Sequence, residues 1–320
     1  MNEAWRPSAS LAALQCRAAM LAAAREFFAR RRVLEVETPV LSAAGVSDPQ
    51  IESLVTHVAG LGRFHMGTSP EYAMKRLLAA GSGDIYQICK VFRDAELGRW
   101  HNPEFTLIEW YRLGFDDSAL MREVEALVGE LMAPYRQLEP AERLSYSDAL
   151  QRHAGVDAHH ASEDDLTKSA LRHGIVCHAD LDRDAKLDLL MGLVVGPRLG
   201  AGRPCFICDY PASQAALARL KTGSPPVAAR FELYLDGIEL ANGFHELNDG
   251  VAQRARFGQD LTLRRARGQK EVPLDERLLA ALAEGMPDCA GVAVGFDRLV
   301  AIALGSPQLA DVMAFTIGNA

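Results

Sequence analysis

The 320-residue sequence lacks several features that mark common functional classes. Its apolar runs stay well short of the roughly 18 residues that cross a membrane as a helix, and Arg17 and Arg25 interrupt the stretch where a signal peptide has its apolar core. The Gly-x-x-x-x-Gly-Lys-Ser/Thr sequence of phosphate-binding loops is also missing, which argues against a P-loop ATPase. We therefore expect a cytoplasmic globular protein with no membrane partner.

Basic residues are fewer than acidic ones, and the cysteines form only one close pair. The formal net charge is −8, whereas a broad nucleic-acid surface is usually basic. The basic clusters at residues 30–32 and 264–267 are interpreted as solvated helix ends. Among six cysteines, Cys205 and Cys208 form one Cys-x-x-Cys without a second pair at zinc spacing. We expect reduced, mostly buried thiols.

The pattern of apolar residues predicts an α+β fold with an antiparallel sheet flanked by helices, in a single domain over residues 1–320. Helices are predicted at residues 10–31, 69–80, 118–132, 250–267, 275–284 and 297–305. Strands are predicted at residues 33–39, 85–93, 105–111, 231–240 and 291–295. Residues 145–220 are expected to be mostly helical.

A β-hairpin is predicted around Asp236 and Gly237, the residue pair typical of a type I′ turn. Tyr234 would then face Glu239, with Glu232 diagonal to Glu239 on the same side. Two carboxylates in that arrangement repel each other unless a cation lies between them, and Mg²⁺ shared with phosphate oxygens would serve. The alternative, that one of the two faces solvent at a sheet edge, stays open on this pattern alone.

Two arginines lie at positions suited to a bound phosphate. Arg93 follows the apolar strand 85–92, where its fork of donors could hold a phosphate in a bidentate manner. Arg298 begins a helix, whose backbone dipole also favours an anion. A pair of structural salt bridges is the alternative interpretation.

Acidic and phenolic side chains near the same predicted elements suit a diamine. One face of the strand 105–111 carries Phe105, Leu107, Glu109 and Tyr111. With Glu71 and Glu246, these acids could give each ammonium of a diamine a charge-assisted hydrogen bond. The pattern is compatible with such a ligand but does not require it.

Four segments, in this order, resemble the catalytic domain of class II aminoacyl-tRNA synthetases, most closely those of the lysine type. Residues 36–39 (Val-Glu-Thr-Pro) resemble motif 1, residues 92–111 motif 2, and residues 295–298 (Gly-Phe-Asp-Arg) motif 3. Residues 237–249 resemble the lysine-type magnesium and substrate segment. The resemblance covers almost the whole chain and implies a homodimer formed through motif 1, with Pro39 and the preceding helix at its interface.

Departures from lysyl-tRNA synthetases narrow the expected function. Motif 1 begins at residue 36, which leaves no room for an anticodon-binding OB-fold, so we expect no anticodon recognition. Ser69 and Ala293 stand where those enzymes usually have alanine and glycine, respectively. The chain thus resembles truncated paralogues that activate (R)-β-lysine or lysine with ATP and transfer it to a lysine side chain of translation elongation factor P. A change of one small residue in the pocket could favour an amino group moved by one carbon.

The resemblance implies a role for each matching residue. Arg93 would hold the α-phosphate and Arg298 the γ-phosphate of ATP, as the catalytic residues. The other nucleotide-binding residues would be Asp94, Ala95, Glu96, His101, Asn102, Phe105, Glu239, Leu240, Asn242 and Gly295. Glu232 and Glu239 would bind Mg²⁺. The amino-acid pocket would contain Ser69 and Glu71 at the β-amino end, Glu109, Tyr111 and Glu246 at the ε-ammonium, and Ala293 in its wall.

One segment departs from the family pattern. The family usually has Arg-Asn-Glu at the start of motif 2, whereas this chain has Arg93-Asp94-Ala95-Glu96, so the acid is displaced by one residue. The resemblance implies that Glu96 could reach the adenine amino group instead.

Three other functions keep the same motifs. They are a tRNA-charging enzyme, an amide synthetase that uses a small amine as acceptor, and a non-catalytic regulatory paralogue. The acidic surface argues against the first. The third should have lost an arginine or a magnesium acid, yet Arg93, Arg298, Glu232 and Glu239 are all present.

Overall fold

The computed structural model describes residues 5–178 and 181–320. These residues divide into two compact units, and we call the part that ends at Gly114 together with Leu247–Ala320 the first unit and Phe115–Glu246 the second unit. No helix within the described residues is long and apolar enough to span a membrane. The single-domain organisation expected for residues 1–320 stays a prediction.

The helices of the described residues, labelled in chain order, are α1 Leu11–Arg30, α2 Glu71–Ala79, α3 Asp117–Met132, α4 Tyr146–Ala154, α5 Glu163–Arg172, α6 Arg183–Leu190, α7 Gly250–Ala266, α8 Glu276–Gly285 and α9 Phe296–Ala303. The strands are β1 Leu34–Glu35, β2 Leu41–Ser42, β3 Val55–Val58, β4 Gly62–Met66, β5 Ile85–Phe92, β6 Glu104–Leu113, β7 Glu142–Ser145, β8 Cys205–Pro211, β9 Leu220–Lys221, β10 Val227–Leu235, β11 Ile238–His245 and β12 Cys289–Gly295.

The first unit contains a sheet in which the strand order is β1, β5, β6 and β12. β1 runs parallel to β5, and the other two pairs are antiparallel. Helix α1 begins where predicted, because the Ser10 hydroxyl accepts a hydrogen bond from Ala13 N (3.2 Å). The ring of Phe28 on this helix stacks on Tyr86 of β5, with ring centres 4.2 Å apart, and joins the helix to the sheet.

Two parts of the first unit differ from the sequence-based expectation. The strand expected at residues 33–39 is reduced to the two residues of β1, and Pro39, which has no N–H, cannot continue a ladder. A second sheet with the order β2, β4 and β3 was not predicted. Its strands are short and half exposed, so they give little apolar periodicity.

The second unit contains a sheet with the order β11, β10, β8 and β7, and β9 pairs with β10. Helices α4, α5 and α6 pack their apolar side chains, among them Leu150, Leu166 and Leu187, in one core with Ile207 of β8. The prediction that residues 145–220 are mostly helical was therefore wrong for Cys205–Pro211, which is a strand. Its apolar run lies on a strand with partners on both sides, and such a run has no alternation that distinguishes it from a helix.

The hairpin between β10 and β11 is confirmed. Asp236 and Gly237 both have positive φ (52° and 76°), as a type I′ turn requires. A Cβ at Gly237 would lie 2.9 Å from the Pro197 carbonyl oxygen, so this position needs glycine on steric grounds as well. Tyr234 faces Glu239 as expected, and an irregularity in the register then brings Asn242 opposite Glu232.

Candidate active site

A buried carboxylate with two hydroxyl partners lies on β6 of the first unit. Glu109 is only 2% exposed. Its Oε2 accepts a hydrogen bond from Ser69 Oγ (2.7 Å) and its Oε1 accepts one from Tyr111 OH (2.9 Å). We call Ser69, Glu109 and Tyr111 the hydroxyl cluster. All three were predicted as substrate-binding residues, and the structure brings them into direct contact.

Burial is the main reason that the pKa of Glu109 is raised to about 7, and the negative charge of Glu71 adds to it. The hydrogen bonds from Ser69 and Tyr111 and the charge of Lys75 act in the opposite direction. Both direct donors are neutral, so they stabilise the ionised carboxylate without cancelling its charge. A cation brought to the ionised form of Glu109 would therefore gain a charge-assisted hydrogen bond.

The strand register places Glu109 in a row of three residues that share one face of the sheet. Gln87 of β5 and Ala293 of β12 lie directly opposite Glu109 on either side. Ala293 has only a methyl side chain, which leaves space beside the carboxylate. Gln87 is buried, and its Oε1 accepts a hydrogen bond from Thr38 Oγ1 (2.9 Å). Sequence reasoning missed Gln87, although its alternation with Cys89 on β5 could have indicated the shared face.

Helix α2 provides the second acid expected in the amino-acid pocket. Glu71 is its first residue, and Lys75 Nζ lies 2.7 Å from Glu71 Oε1. The Lys75 side chain is almost fully buried. Ser69 Oγ also accepts a hydrogen bond from Glu71 N (3.0 Å), so one hydroxyl both supports the start of α2 and donates to Glu109. Ser69 thus bonds to the carboxylate of Glu109 and to the backbone N–H of Glu71, the two residues that were assigned to opposite ends of the substrate.

Arg93 lies just beyond the end of β5, as predicted. Its guanidinium carbon is 5.1 Å from the centre of the Phe105 ring, its Nε donates to Thr68 O (3.4 Å), and Nη1 is 3.5 Å from Glu96 Oε1. The displaced acid of motif 2 therefore faces Arg93. These contacts are long, which leaves the guanidinium free to exchange them for phosphate oxygens.

The turn after Arg93 contains the other predicted nucleotide contacts of this segment. Asp94 Oδ1 accepts a hydrogen bond from Ala95 N (2.8 Å), and Ala95 has a positive φ of 61°. Asp94 N donates to Glu52 O (2.8 Å), which fixes the turn against a neighbouring loop.

Arg298 lies in the first turn of α9, just after Gly295, and contacts a histidine of motif 2. Arg298 Nη2 is 2.8 Å from His101 Nε2, and Nε donates to Trp100 O (3.2 Å). Loss of solvent around the ring and the positive charge of Arg298 lower the pKa of His101. The neutral ring then accepts the hydrogen bond at Nε2. Two predicted nucleotide ligands, one from motif 2 and one from motif 3, are thus adjacent.

Asn102 is buried, and its side-chain amide has partners at both ends. Nδ2 donates to Glu104 O (2.6 Å), and Oδ1 accepts from Ile317 N (3.0 Å). This amide ties the start of β6 to the C-terminal segment, a role that the sequence did not suggest.

A buried ion pair also holds the first unit together beneath these residues. Asp297 Oδ1 accepts from Arg17 Nη1 (2.5 Å) and Oδ2 from Thr106 N (2.6 Å), while Arg17 Nη2 donates to Thr106 Oγ1 (2.7 Å). The network joins α1, β6 and α9 next to Phe105 and Arg298. It was missed because Arg17 and Asp297 are distant in sequence and neither has a local signature.

The second unit contains the predicted magnesium residues on the hairpin. Glu232 Oε1 accepts from Arg230 Nη2 (2.6 Å) and Oε2 from Tyr234 OH (2.7 Å). The pair of acids therefore already has a cation nearby, the Arg230 guanidinium, which the sequence analysis did not consider. Glu239 lies opposite Tyr234.

An amide oxygen beside Glu232 allows a test of whether a metal ion fits. Asn242 lies directly opposite Glu232, and its Oδ1 is buried without a hydrogen-bond partner among the described residues. Carboxylate and amide oxygens are ligands that Mg²⁺ accepts, and an unpaired buried oxygen gains from a cation. The residues present therefore fit Mg²⁺. In the described part of the chain, no three His, Cys, Asp or Glu side chains are grouped as a metal site of protein ligands alone.

The remaining predicted residues of the second unit lie on or just after β11. Leu240 is buried at the register irregularity of the hairpin. Glu246 is 1% exposed and forms an isolated bridge with Ala218, and its carbonyl oxygen accepts from Arg219 Nε (3.1 Å).

Comparison with known proteins gives consistent relationships. The sequence model of the family described as tRNA synthetases class II (D, K and N) matches residues 4–318. Elongation factor P–(R)-β-lysine ligases of Salmonella dublin and of Salmonella paratyphi B are each 49% identical to this chain over 323 aligned positions. Each alignment covers 99% of this chain and 98% of the relative. The predicted α+β fold class is confirmed, and the chain belongs to the class II tRNA synthetase family of the D, K and N type.

Proposed function

We propose that this protein is an ATP-dependent ligase that activates (R)-β-lysine, or lysine, as an aminoacyl-adenylate and transfers it to a lysine side chain of elongation factor P. The hydroxyl cluster around Glu109 carries the proposal, because it offers a buried negative charge to an ammonium group. Full-length similarity to enzymes named for this acceptor and this amino acid supports the choice of substrates.

The amino-acid pocket is proposed to lie beside the hydroxyl cluster, on the side of Ser69, which is less buried than Glu109 and Tyr111. An ammonium would contact Glu109 and leave the bonds from Ser69 and Tyr111 in place. Glu71, paired with Lys75, would contact the β-amino group through the oxygen that Lys75 does not use. Ala293 would set the space available beside Glu109. We further propose that Glu246 contacts the ε-ammonium.

ATP is proposed to bind through Arg93 and Arg298, the catalytic pair. Arg93 would hold the α-phosphate, where negative charge increases as the amino-acid carboxylate attacks in line and pyrophosphate leaves. Arg298 would hold the γ-phosphate, with His101 fixing its orientation. Phe105 would stack on adenine, and Asp94, Ala95, Glu96, Asn102 and Gly295 would complete the nucleotide site.

We propose Glu232 and Glu239 as ligands of Mg²⁺, and Leu240 and Asn242 as nucleotide-binding residues. When bound, Mg²⁺ would neutralise part of the phosphate charge. Arg230 and Tyr234 hold the two oxygens of Glu232, which fixes the direction of its remaining lone pairs.

Transfer completes the proposed reaction. The neutral ε-amine of the acceptor lysine attacks the adenylate carbonyl, so that a C–N bond forms and the C–O bond to AMP breaks. The amine loses one proton to solvent, and AMP leaves as the anion. No covalent bond to this chain is needed.

A homodimer formed through motif 1, in the cytoplasm, is also proposed. Three large apolar side chains next to motif 1 are exposed: Leu34 (55%), Val40 (41%) and Leu41 (38%). Burial of such a patch against a second copy would stabilise a dimer. Sedimentation equilibrium of the wild type and of Val40→Asp tests this, and a monomeric wild type contradicts it.

ATP–pyrophosphate exchange with lysine and (R)-β-lysine side by side tests the function, followed by addition of elongation factor P or bulk tRNA. We expect faster exchange with (R)-β-lysine and a mass gain of one β-lysyl group on the protein acceptor. Arg298→Ala, as control, should remove exchange and keep the wild-type melting temperature. Label on tRNA, or no exchange with either amino acid, would contradict the proposal.

A further inference from the structure

A basic cleft in the second unit has no part in the reaction proposed above. Its volume is about 240 Å³. It is lined by residues of β7, α4, β8 and the loop before β8: Glu142, Leu144, Arg152, His153, Arg198, Leu199, Gly200, Ala201, Arg203 and Cys205. Three of these are arginines and one is an acid, in a chain whose formal net charge is −8. We call it the arginine cleft.

Glu142 orients two of the arginines and leaves most of their donors unused. Its two oxygens lie 3.0 Å from Arg152 Nη1 and 3.0 Å from Arg203 Nη2. The hydrogen bond from Arg152 is the main cause of the lowered pKa of Glu142, which therefore stays ionised. Each guanidinium has five N–H donors, and one bond to Glu142 leaves several for a ligand.

Arg198 brings the excess positive charge. Among the described residues it has no carboxylate partner, and its Nη1 donates to the carbonyl oxygen of Val194. The neighbouring His153 has a lowered pKa because of burial and the charges of Arg152 and Arg198. A neutral imidazole there leaves an acceptor and a donor in the cleft without further charge.

The loop that carries Arg198 and Arg203 is fixed by the hairpin turn. Asp236 N donates to Gly200 O and Gly237 N to Leu199 O, both at 2.8 Å. Gly200 has a φ of 70°, and a Cβ there would lie 2.6 Å from Tyr234 O, so the loop can pack this closely only with glycine. The backbone that carries Arg198 and Arg203 is therefore fixed before any ligand binds.

We propose that the arginine cleft binds a small phosphate-containing anion with two charged centres, of the size of pyrophosphate. Planar guanidinium groups match the spacing of phosphate oxygens, and three of them exceed the single charge of Glu142. The volume exceeds what one phosphate group fills, so a second charged centre has room. This inference is independent of the adenylation site.

Calorimetric titration with pyrophosphate tests the proposal on the full-length protein saturated with a non-hydrolysable ATP analogue, so that the nucleotide site is filled. We expect one pyrophosphate per chain, bound at least tenfold more tightly than inorganic phosphate. Arg198→Gln with Arg203→Gln should weaken it by about a hundredfold, roughly tenfold for each lost charged donor. Arg122→Gln, at an exposed arginine that does not line the cleft, should have no effect.

Several results would overturn the proposal: no heat with pyrophosphate, equal binding by the double variant, or tighter binding of succinate than of pyrophosphate. The single variant Arg198→Gln serves if the double variant melts at a lower temperature, and it should still weaken binding about tenfold. ATP–pyrophosphate exchange should be unchanged in both variants, which separates this cleft from the proposed catalytic site.

Discussion

Two buried glutamates, Glu109 in the first unit and Glu232 in the second, have nearly the same local arrangement and opposite electrostatic settings. Each accepts a hydrogen bond from a tyrosine two residues later on its own strand, Tyr111 and Tyr234 respectively. The other oxygen differs. Glu109 receives a neutral hydroxyl from Ser69, whereas Glu232 receives the guanidinium of Arg230.

This one exchange of partner decides what each acid can do. Neutral donors leave the charge of Glu109 uncompensated, so burial raises its pKa to about 7 and an incoming ammonium finds a strong partner. The charge of Glu232 is compensated by Arg230 on the same strand, and Glu232 is in turn the counter-charge of Arg230. Neutral protein partners thus leave more of the charge of a buried carboxylate available to an incoming cation than a guanidinium partner does.

The largest expected effect is that of Glu109→Gln. The amide keeps the shape, one of the two hydroxyls must then accept from its NH2 instead of donating, and the charge that an ammonium needs is removed. We expect kcat/KM for the amino acid in pyrophosphate exchange to fall about a thousandfold, since loss of one partner of a buried ion pair costs roughly 3–5 kcal/mol. Stability should not fall, because the neutral amide needs no counter-charge. A wild-type kcat/KM in Glu109→Gln would contradict the difference drawn between Glu109 and Glu232.

Glu232→Gln should lower stability, in addition to any loss of the proposed Mg²⁺ ligand. Arg230 loses its counter-charge in a largely buried position, and we expect the free energy of unfolding to fall by about 3 kcal/mol. Urea denaturation measures this change. Arg230→Met added to Glu232→Gln should restore part of the loss, because both charges are then gone. Equal destabilisation by Glu109→Gln would show that the two acids are not different in this respect.

Ser69→Ala should lower kcat/KM less than Glu109→Gln does, because Glu109 keeps its charge. One donor to the carboxylate is lost, so we expect kcat/KM for the amino acid to fall about tenfold, the usual size for one charge-assisted hydrogen bond. The pKa of Glu109 should rise further, since the hydroxyl stabilises its ionised form. Ser69→Thr keeps the hydroxyl and serves as control. If the pH dependence of kcat/KM were the same in Ser69→Ala as in the wild type, the role of this bond would be contradicted.

The smallest effect is the pH dependence of the wild type. Only ionised Glu109 attracts an ammonium, and with a pKa of about 7 the ionised fraction rises about fivefold between pH 6 and pH 7. The affinity for the amino acid should rise by the same factor over this interval, with a proton released on binding. Titration in two buffers of different ionisation enthalpy detects that proton. Glu109→Gln should remove the pH dependence.

The sequence predicted the elements whose signals are local. Helix α1 begins at Leu11, close to its predicted start, and Asp236 and Gly237 form the predicted turn with the predicted register at Tyr234 and Glu239. Strand β8 was missed, because an apolar run with strands on both sides shows no alternation. In such cases periodicity cannot separate a buried strand from a buried helix.

The candidate site was predicted as a set of residues but not as a network. Family resemblance brought Ser69, Glu109 and Tyr111 together as substrate ligands, but not the bond that joins Ser69 to Glu109. The partners of Asn102 and of Asp297 lie far away in sequence, at Ile317 and Arg17. Such contacts depend on the packing of the whole unit, so local patterns cannot indicate them.

The division of the first unit into two separated segments has a consequence for biosynthesis. Strand β6 pairs with β12, and Ala9 N donates to Met313 O, yet the whole of the second unit lies between these segments in the chain. During synthesis on the ribosome, Phe115–Glu246 emerges complete before β12, the partner strand of β6, has been synthesised. The unit that carries Glu109 and Arg298 can therefore finish folding only after Cys289–Gly295 has been synthesised, and until then an unpaired edge of β6 is open to chaperones or to aggregation.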